Sequence, residues 1–132
     1  MNIFCQQGDK LCLAELSAIP LVKVLLFQNN YIPLITDTEA NYVEATFSGY
    51  PMGGYALAWG APFVNGAGKG EIDATPQAFT NTTGAVGNTI YGAYVVDAFG
   101  KLVYADRFGA PVVMASAGNT FTYTPIVTAV TG

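Results

Sequence analysis

Short apolar segments separated by turn residues restrict the fold of this chain more than any other feature of its sequence. In the last third, residues 89–97, 102–108, 111–115 and 120–130 have the composition of strands, and short turns separate most of them. Strands with turns roughly every 10 residues indicate an antiparallel sandwich or barrel. We therefore predict an all-β, mainly antiparallel fold, either a β-sandwich or a jelly-roll-like barrel.

The first half of the chain carries fewer but similar signals. Residues 21–27 form a short apolar run bounded by Pro20 and a Gln-Asn-Asn turn, which predicts a strand. Residues 71–79 predict another strand, interrupted at Pro76 and therefore at an edge or a bulge. Residues 38–45 are the one helix candidate, since Asp37 or Thr38 can cap it. We expect at most one short helix.

The domain organisation follows from length and from a change of composition near residue 20. A chain of 132 residues, of which 52% are hydrophobic, fits one domain with one core, so general disorder is excluded. Residues 1–20 differ from the rest in their mixed polarity and in holding both cysteines. We predict that they form an extended N-terminal arm that docks on its own sheet or on a neighbouring subunit. Residues 21–132 would form a single β-sandwich domain.

The low charge of the chain excludes several functional classes. Charged residues make up 11% of the chain, less than half of the roughly 25% that is usual for soluble domains. The 5 basic residues form no patch, so we expect no nucleic-acid partner. The chain has no histidine, which excludes histidine triads and histidine metal sites. Such an apolar chain is expected to hide part of its surface against neighbours.

The cysteines and the apolar stretches indicate where the protein is made. Cys5 and Cys12 fit no zinc spacing and no disulfide scaffold, and we predict free, packed thiols in a reducing cytoplasm. The longest apolar stretch, residues 11–27, is interrupted by charged residues and a proline, so no membrane span is expected. The N-terminus lacks the basic residue of a signal peptide. The protein is expected to stay inside a cell or a particle.

No motif in the sequence predicts catalysis, a cofactor or a metal. Glu71 and Asp73 lie on one face of a predicted strand and could bind Ca²⁺, but this ion takes six to eight oxygen ligands. Solvated acidic side chains are the simpler interpretation. Residues 66–70 resemble a phosphate-binding loop, yet Gly70 replaces the required Ser or Thr after Lys69. We interpret this segment as a flexible turn and predict a protein that is not an enzyme.

Several apolar and aromatic residues are candidates for an interface. Tyr55 and Trp59 alternate with small residues and could stack on sugar rings, although core and interface roles are commoner for such residues. Arg107 fits an interface contact or a cross-strand ion pair. The predicted interface residues are Leu11, Leu13 and Leu16 in the arm, together with Tyr55, Trp59 and Arg107.

Several segments, taken in order, resemble a known group of proteins. They are Leu-Phe-Gln-Asn-Asn from residue 26, Glu-Ala-Thr-Phe-Ser-Gly-Tyr from 44, Asn-Thr-Ile-Tyr-Gly-Ala-Tyr from 88, Leu-Val-Tyr-Ala-Asp-Arg-Phe from 102 and Ala-Gly-Asn-Thr-Phe-Thr-Tyr-Thr-Pro from 117. This order resembles small structural proteins encoded by tailed bacteriophages. The resemblance covers about residues 21–128 and leaves the arm unexplained.

The resemblance implies a virion component without cofactor or active site. Its expected role is that of a capsid cement or decoration protein on the capsid surface, made in the host cytoplasm. Its expected partners are the major capsid protein and other copies of itself, as a homotrimer by analogy. The alternatives are a tail or fibre module that binds carbohydrate or a receptor, and a small hydrolase built on Glu71 and Asp73.

Overall fold

The computed structural model describes residues 18, 19 and 21–128, and within them it is an all-β protein. The strands are β1 (Lys23–Phe27), β2 (Tyr55–Ala56), β3 (Phe63–Val64), β4 (Gly70–Asp73), β5 (Gln77–Thr80), β6 (Asn88–Val96), β7 (Leu102–Met114), β8 (Thr120–Tyr123) and β9 (Ile126–Thr128). One 3₁₀ helix, Glu39–Asn41, accompanies them. The predicted fold class is confirmed. The described sheets are open and antiparallel, as in a sandwich, and none of them closes into a barrel.

The chain divides into two compact units. The larger unit comprises residues 21–56 and 77–122, and the smaller unit comprises residues 57–76 and 123–128 with residues 18 and 19. Most of the predicted arm lies outside the described residues, so the division into an arm and a single domain stays a prediction. No helix in the described part of the chain is long and apolar enough to cross a membrane.

The larger unit is built on a four-stranded sheet with the order β2-β1-β6-β7. Strand β1 pairs with β6 from Lys23 opposite Val96 to Phe27 opposite Gly92. Gly92 is required at this point because a Cβ atom there would lie 2.5 Å from the Phe27 ring and would collide with the backbone of β7. The missing side chain at Gly92 therefore lets β6 pair with β1 on one side and with β7 on the other.

Both faces of this sheet are covered. Leu25, Phe27, Tyr94 and Val96 share one face, where the Tyr42 ring packs 5.1 Å from Phe27 and 5.2 Å from Tyr94. The intervening residues point to the opposite face and are also buried; they are Val24, Leu26, Ala93 and Val95. Burial on both faces explains why residues 24–27 of β1 are an uninterrupted apolar run in the sequence, whereas Lys23 at its start is exposed.

The predicted helix over residues 38–45 is wrong beyond its first turn. Only Glu39–Asn41 is helical, and the chain then returns to the end of β1. There the Gln28 backbone N–H donates to the Val43 carbonyl, and the Ala45 N–H donates to the Leu26 carbonyl. Glu44 forms an isolated antiparallel β-bridge with Phe27. Pairing with an existing strand satisfies more backbone groups than a short isolated helix can.

Two predictions about strand ends also need correction. The predicted strands at 102–108 and 111–115 form one strand, β7, because Pro111 lies in the edge strand of the sheet, where a missing N–H is tolerated. The predicted strand at 120–130 is instead divided into β8 and β9 at Pro125. The predicted interruption at Pro76 is confirmed, since it separates β4 from β5.

The smaller unit contains a three-stranded sheet with the order β3-β4-β9. Its central strand β4 places Ile72, which is fully buried, opposite Val127. Trp59 joins this unit through an isolated bridge to Ala74.

Candidate functional site

An exposed apolar loop follows β1 in the larger unit. We define the apolar loop as residues 31–36, with the sequence Tyr-Ile-Pro-Leu-Ile-Thr. Ile32 is 69% exposed, Leu34 is 60% exposed and Ile35 is fully exposed. Single exposed apolar side chains are ordinary, but three on one short loop make this loop a candidate interaction surface.

Asp37 holds the end of the apolar loop in place. Its Oδ1 accepts a hydrogen bond of 2.6 Å from the Tyr31 hydroxyl, and its Oδ2 accepts one of 2.6 Å from Tyr42 and one of 2.8 Å from the Leu34 N–H. Burial alone would raise the pKa of Asp37, but these three hydrogen bonds outweigh it and hold the pKa below its usual value. The carboxylate is therefore charged and fully engaged at neutral pH.

Arg107, on β7, fixes the start of the same loop. Its guanidinium donates a 2.8 Å hydrogen bond to the Tyr31 carbonyl and a 2.7 Å hydrogen bond to Asn30 Oδ1, and it lies 5.6 Å from the centre of the Tyr91 ring. Arginine was expected at an interface or in a cross-strand ion pair. Its hydrogen bonds to Tyr31 and Asn30 bind the loop within the chain, and its interface role stays a prediction.

Glu39 connects the 3₁₀ helix to the hairpin between β6 and β7. Its carboxylate accepts hydrogen bonds from Lys101 Nζ at 3.3 Å and from the Leu102 N–H at 3.2 Å. Backbone hydrogen bonds from Glu39 itself and from Leu102 lower the pKa of Glu39 most. Burial opposes them, and Lys101 adds a smaller lowering, so the pKa of Glu39 lies below its usual value. The ion pair neutralises two of the surface charges near the loop.

A groove of about 560 Å³ lies in the same unit, with a mostly apolar lining. Leu25, Tyr94 and Val96 form part of it, and Ala98 and Gly100 of the β6–β7 hairpin contribute to its rim. Glu39 also lines it, so the groove adjoins the element that follows the apolar loop.

Leu21 also lines the groove, with its backbone in a strained conformation. Its φ angle of 55° is in the left-handed region, and its side chain is 75% exposed. Non-glycine residues adopt this conformation at a cost that the surrounding structure must offset, and such residues concentrate at functional positions. Phe99, at the hairpin tip between Ala98 and Gly100, is 88% exposed. The groove therefore has an exposed apolar margin.

The remaining predicted interface residues are the three arm leucines and the two aromatic residues Tyr55 and Trp59. Leu11, Leu13 and Leu16 lie outside the described residues. Tyr55 belongs to the larger unit, where its ring packs 5.0 Å from Phe79. Trp59 belongs to the smaller unit. Both rings are half-buried, and the Trp59 indole nitrogen is buried without a hydrogen-bond partner in the described part of the chain.

The two strand carboxylates lie together on β4, as the sequence predicted. A hydrogen bond with Glu71, followed by burial and the charge of Glu71, raises the pKa of Asp73. Glu71 in turn accepts a 3.1 Å hydrogen bond from Asn65 Nδ2. No group of three or more potential metal ligands occurs among the described residues.

The glycine-rich segment before β4 is a structured turn. Asn65 Oδ1 accepts hydrogen bonds from the Ala67 and Lys69 backbone N–H groups, at 2.9 Å and 3.1 Å. The Asn65 backbone also donates to the Lys69 carbonyl. The segment therefore closes the hairpin between β3 and β4, which confirms that it is a turn.

The sequence contains the N-glycosylation pattern Asn-x-Thr at Asn81-Thr82-Thr83. The Asn81 side chain is nevertheless fully buried. Its Nδ2 donates hydrogen bonds of 3.0 Å to the Val86 carbonyl and 2.9 Å to the Met114 carbonyl. Its Oδ1 accepts a 2.8 Å hydrogen bond from the Gly84 N–H. The amide nitrogen that would carry a sugar is thus inside the folded unit, and Asn81 has a structural role.

Sequence reasoning missed the apolar loop. The signal was present, because Ile32, Leu34 and Ile35 follow the end of an apolar strand and surround Pro33, which disfavours continuation of that strand. Comparison of the chain with known proteins gives no match to any family model, to any curated protein or to any solved structure.

Proposed function

We propose that this protein is a non-enzymatic structural component of a tailed-phage virion, of the cement or decoration type. In this role several copies associate, as a homotrimer, and clamp neighbouring subunits of the major capsid protein at the capsid surface. Residues 1–20 would extend across a neighbour, with Leu11, Leu13 and Leu16 as apolar contacts. The order of sequence segments over about residues 21–128 motivates the proposal.

The apolar loop is the observation that carries this proposal. Three exposed apolar side chains are held on a loop whose ends are fixed by Asp37 and Arg107. Binding through a prearranged loop avoids the cost of ordering it, so a larger share of the buried apolar area contributes to affinity. Repetition of the same contact over many copies then adds avidity.

Binding to capsids tests the proposal directly. The purified chain is incubated with capsids assembled from the major capsid protein of its own phage, and bound chain is measured after sedimentation. We expect saturable binding that is lost in the variant Leu34→Ser with Ile35→Ser. The control Val113→Ser changes an apolar residue that is 61% exposed and lies near the C-terminal end of β7. This variant should bind like the wild type.

Two outcomes would contradict the proposal. Absence of saturable binding by the wild-type chain would reject the cement role. Equal loss of binding in the loop variant and in the Val113→Ser control would show that general surface polarity, and not the apolar loop, governs attachment.

The alternative, a carbohydrate-binding tail module, depends on Tyr55 and Trp59. Sugar stacking needs an open aromatic face, whereas both of these rings are half-buried. The apolar loop therefore gives the structural role better support.

A further inference from the structure

We propose that the carboxyl groups of Glu71 and Asp73 share one proton through a hydrogen bond, and that this proton makes the stability of the β3-β4-β9 sheet depend on pH. Both residues lie on β4, the central strand of that sheet, two positions apart and therefore on the same face. The inference goes beyond the proposed function and does not depend on it. It concerns the smaller unit, whereas the apolar loop belongs to the larger one.

The two side chains are close enough to share a proton. Alternate residues on a strand are about 6.5–7 Å apart along the backbone, and the side chains of Glu71 and Asp73 close this gap with a hydrogen bond. Ionised carboxylates only accept hydrogen bonds, so one of the two groups must keep its proton. Asn65 Nδ2 already donates a 3.1 Å hydrogen bond to Glu71 Oε1. Glu71 therefore acts as the acceptor, and Asp73 keeps the proton.

The surroundings of Asp73 oppose the loss of this proton. Its Oδ1 is buried and has no hydrogen-bond partner in the part of the chain that the structure describes. Ionisation would place a second negative charge beside Glu71, on an oxygen that no donor there compensates. The hydrogen bond with Glu71, burial and the charge of Glu71 all raise the pKa of Asp73, in that order of size. Asp73 thus stays protonated to a higher pH in the folded chain than in the unfolded chain.

The strands on either side of β4 bring no charge to the pair. On β3, Phe63 lies opposite Glu71. On β9, Thr128 lies opposite Glu71 and Ile126 lies opposite Asp73. None of these three side chains titrates, so the charge on this face of the described sheet comes from the two carboxyl groups.

Two other titratable side chains, Lys69 and Tyr123, belong to the described residues of the smaller unit. Lys69 is exposed, and among the described residues it forms no ion pair with Glu71 or Asp73. Tyr123 is buried, and tyrosine hydroxyls ordinarily titrate near about pH 10. The pair therefore governs the pH response of the described sheet between about pH 3 and 8.

A rise in pH is expected to destabilise this sheet. Because the pKa of Asp73 is raised in the folded chain, that chain binds the proton more tightly than the unfolded chain does. The contribution of the pair to stability is fully present below the unfolded value near about pH 4, and it is lost as the pH rises through the folded value. Each pH unit between the two values changes the unfolding equilibrium about tenfold.

Carbon-13 NMR of the side-chain carboxyl groups, on the full chain, tests where the proton resides. The titration midpoint of Asp73 in the wild type should lie above the ordinary value of about 3.9. In Glu71→Gln it should return toward that value, because glutamine is uncharged and its amide can donate to the Asp73 carboxylate. A wild-type midpoint at or below the ordinary value overturns the proposal, and this measurement needs no variant to fold.

Urea unfolding followed by circular dichroism tests the effect on stability. Asp73→Asn replaces the protonated carboxyl by a neutral donor, so it should unfold at a urea concentration similar to that of the wild type near pH 4. It should become the more stable of the two as the pH rises to 8. The matched control is Asp106→Asn, the same change at an exposed position of β7 in the larger unit, and it should not gain on the wild type over this range.

Two results of the urea experiment would overturn the proposal. In the first, Asp73→Asn gains no stability relative to the wild type between pH 4 and 8. In the second, Asp106→Asn gains as much as Asp73→Asn, which would attribute the effect to the net negative charge of the chain and not to the pair on β4.

Discussion

Replacing Asn81 by alanine should be among the most damaging single changes in the larger unit. The substitution leaves the carbonyls of Val86 and Met114 and the N–H of Gly84 without their partner in a region where Asn81 is fully buried. A buried polar group that loses its partner costs about 1–3 kcal/mol. Allowing for partial relaxation at the two sites nearer the surface, we expect a loss of about 3–5 kcal/mol.

Thr83→Ala provides a matched control for this experiment. It also destroys the Asn-x-Thr pattern, but the Thr83 hydroxyl accepts only an exposed 3.2 Å hydrogen bond from the Ala85 N–H. We expect a loss of less than about 1 kcal/mol for this variant. The two variants therefore separate the effect of the buried hydrogen bonds from any effect of glycosylation in a eukaryotic host.

Urea unfolding followed by circular dichroism measures both variants. The midpoint for Asn81→Ala should fall while the dependence of the unfolding free energy on urea stays unchanged. A loss for Asn81→Ala that is no larger than the loss for Thr83→Ala would refute the assignment of Asn81 as a structural residue.

Two further predictions concern the sheet and the apolar loop. Gly92→Ala should destabilise the protein by about 2 kcal/mol or more, because its Cβ would meet the Phe27 ring. Gly109→Ala should be nearly neutral in the same urea assay, because no atom lies within 4 Å of the added Cβ. Equal losses of stability in the two variants would contradict this explanation. The folded-state pKa of Asp37 is lowered, so its contribution to stability is present above the unfolded value near pH 4 and is lost as the pH falls through the folded value. The stability difference between the wild type and Asp37→Asn should therefore shrink between pH 5 and 2, and a constant difference in urea midpoints would contradict the loop contacts.

Local patterns predicted the strands and turns whose partners lie close in sequence. The short turn expected between residues 89–97 and 102–108 forms, with the Gly100 N–H donating a 3.0 Å hydrogen bond to the Asp97 carbonyl. In β8 the exposed Thr120 and Thr122 alternate with Phe121, which is partly buried, and Tyr123, which is buried. The helix predicted over residues 38–45 does not form beyond its first turn, because the end of β1, with which these residues pair, meets them only in the folded chain.

The candidate site was harder to predict than the fold. Exposure of Leu34 and Ile35 depends on where the loop is anchored, and its anchor Arg107 lies more than 70 residues away in the sequence. Asp37 is of a residue type that favours helix N-caps, but its side chain accepts hydrogen bonds from two tyrosines instead. A single sequence does not show which distant side chains will meet a carboxylate.

The division into two units has a spectroscopic consequence. The single tryptophan, Trp59, belongs to the smaller unit, and its indole nitrogen is buried there. Seven of the eight tyrosines lie in the larger unit, with Tyr123 as the exception. Emission excited at the red edge of the tryptophan band therefore reports on the smaller unit, and tyrosine absorbance reports mainly on the larger one. Each unit thus carries its own intrinsic label, and the order in which the two lose their structure can be followed without adding a dye.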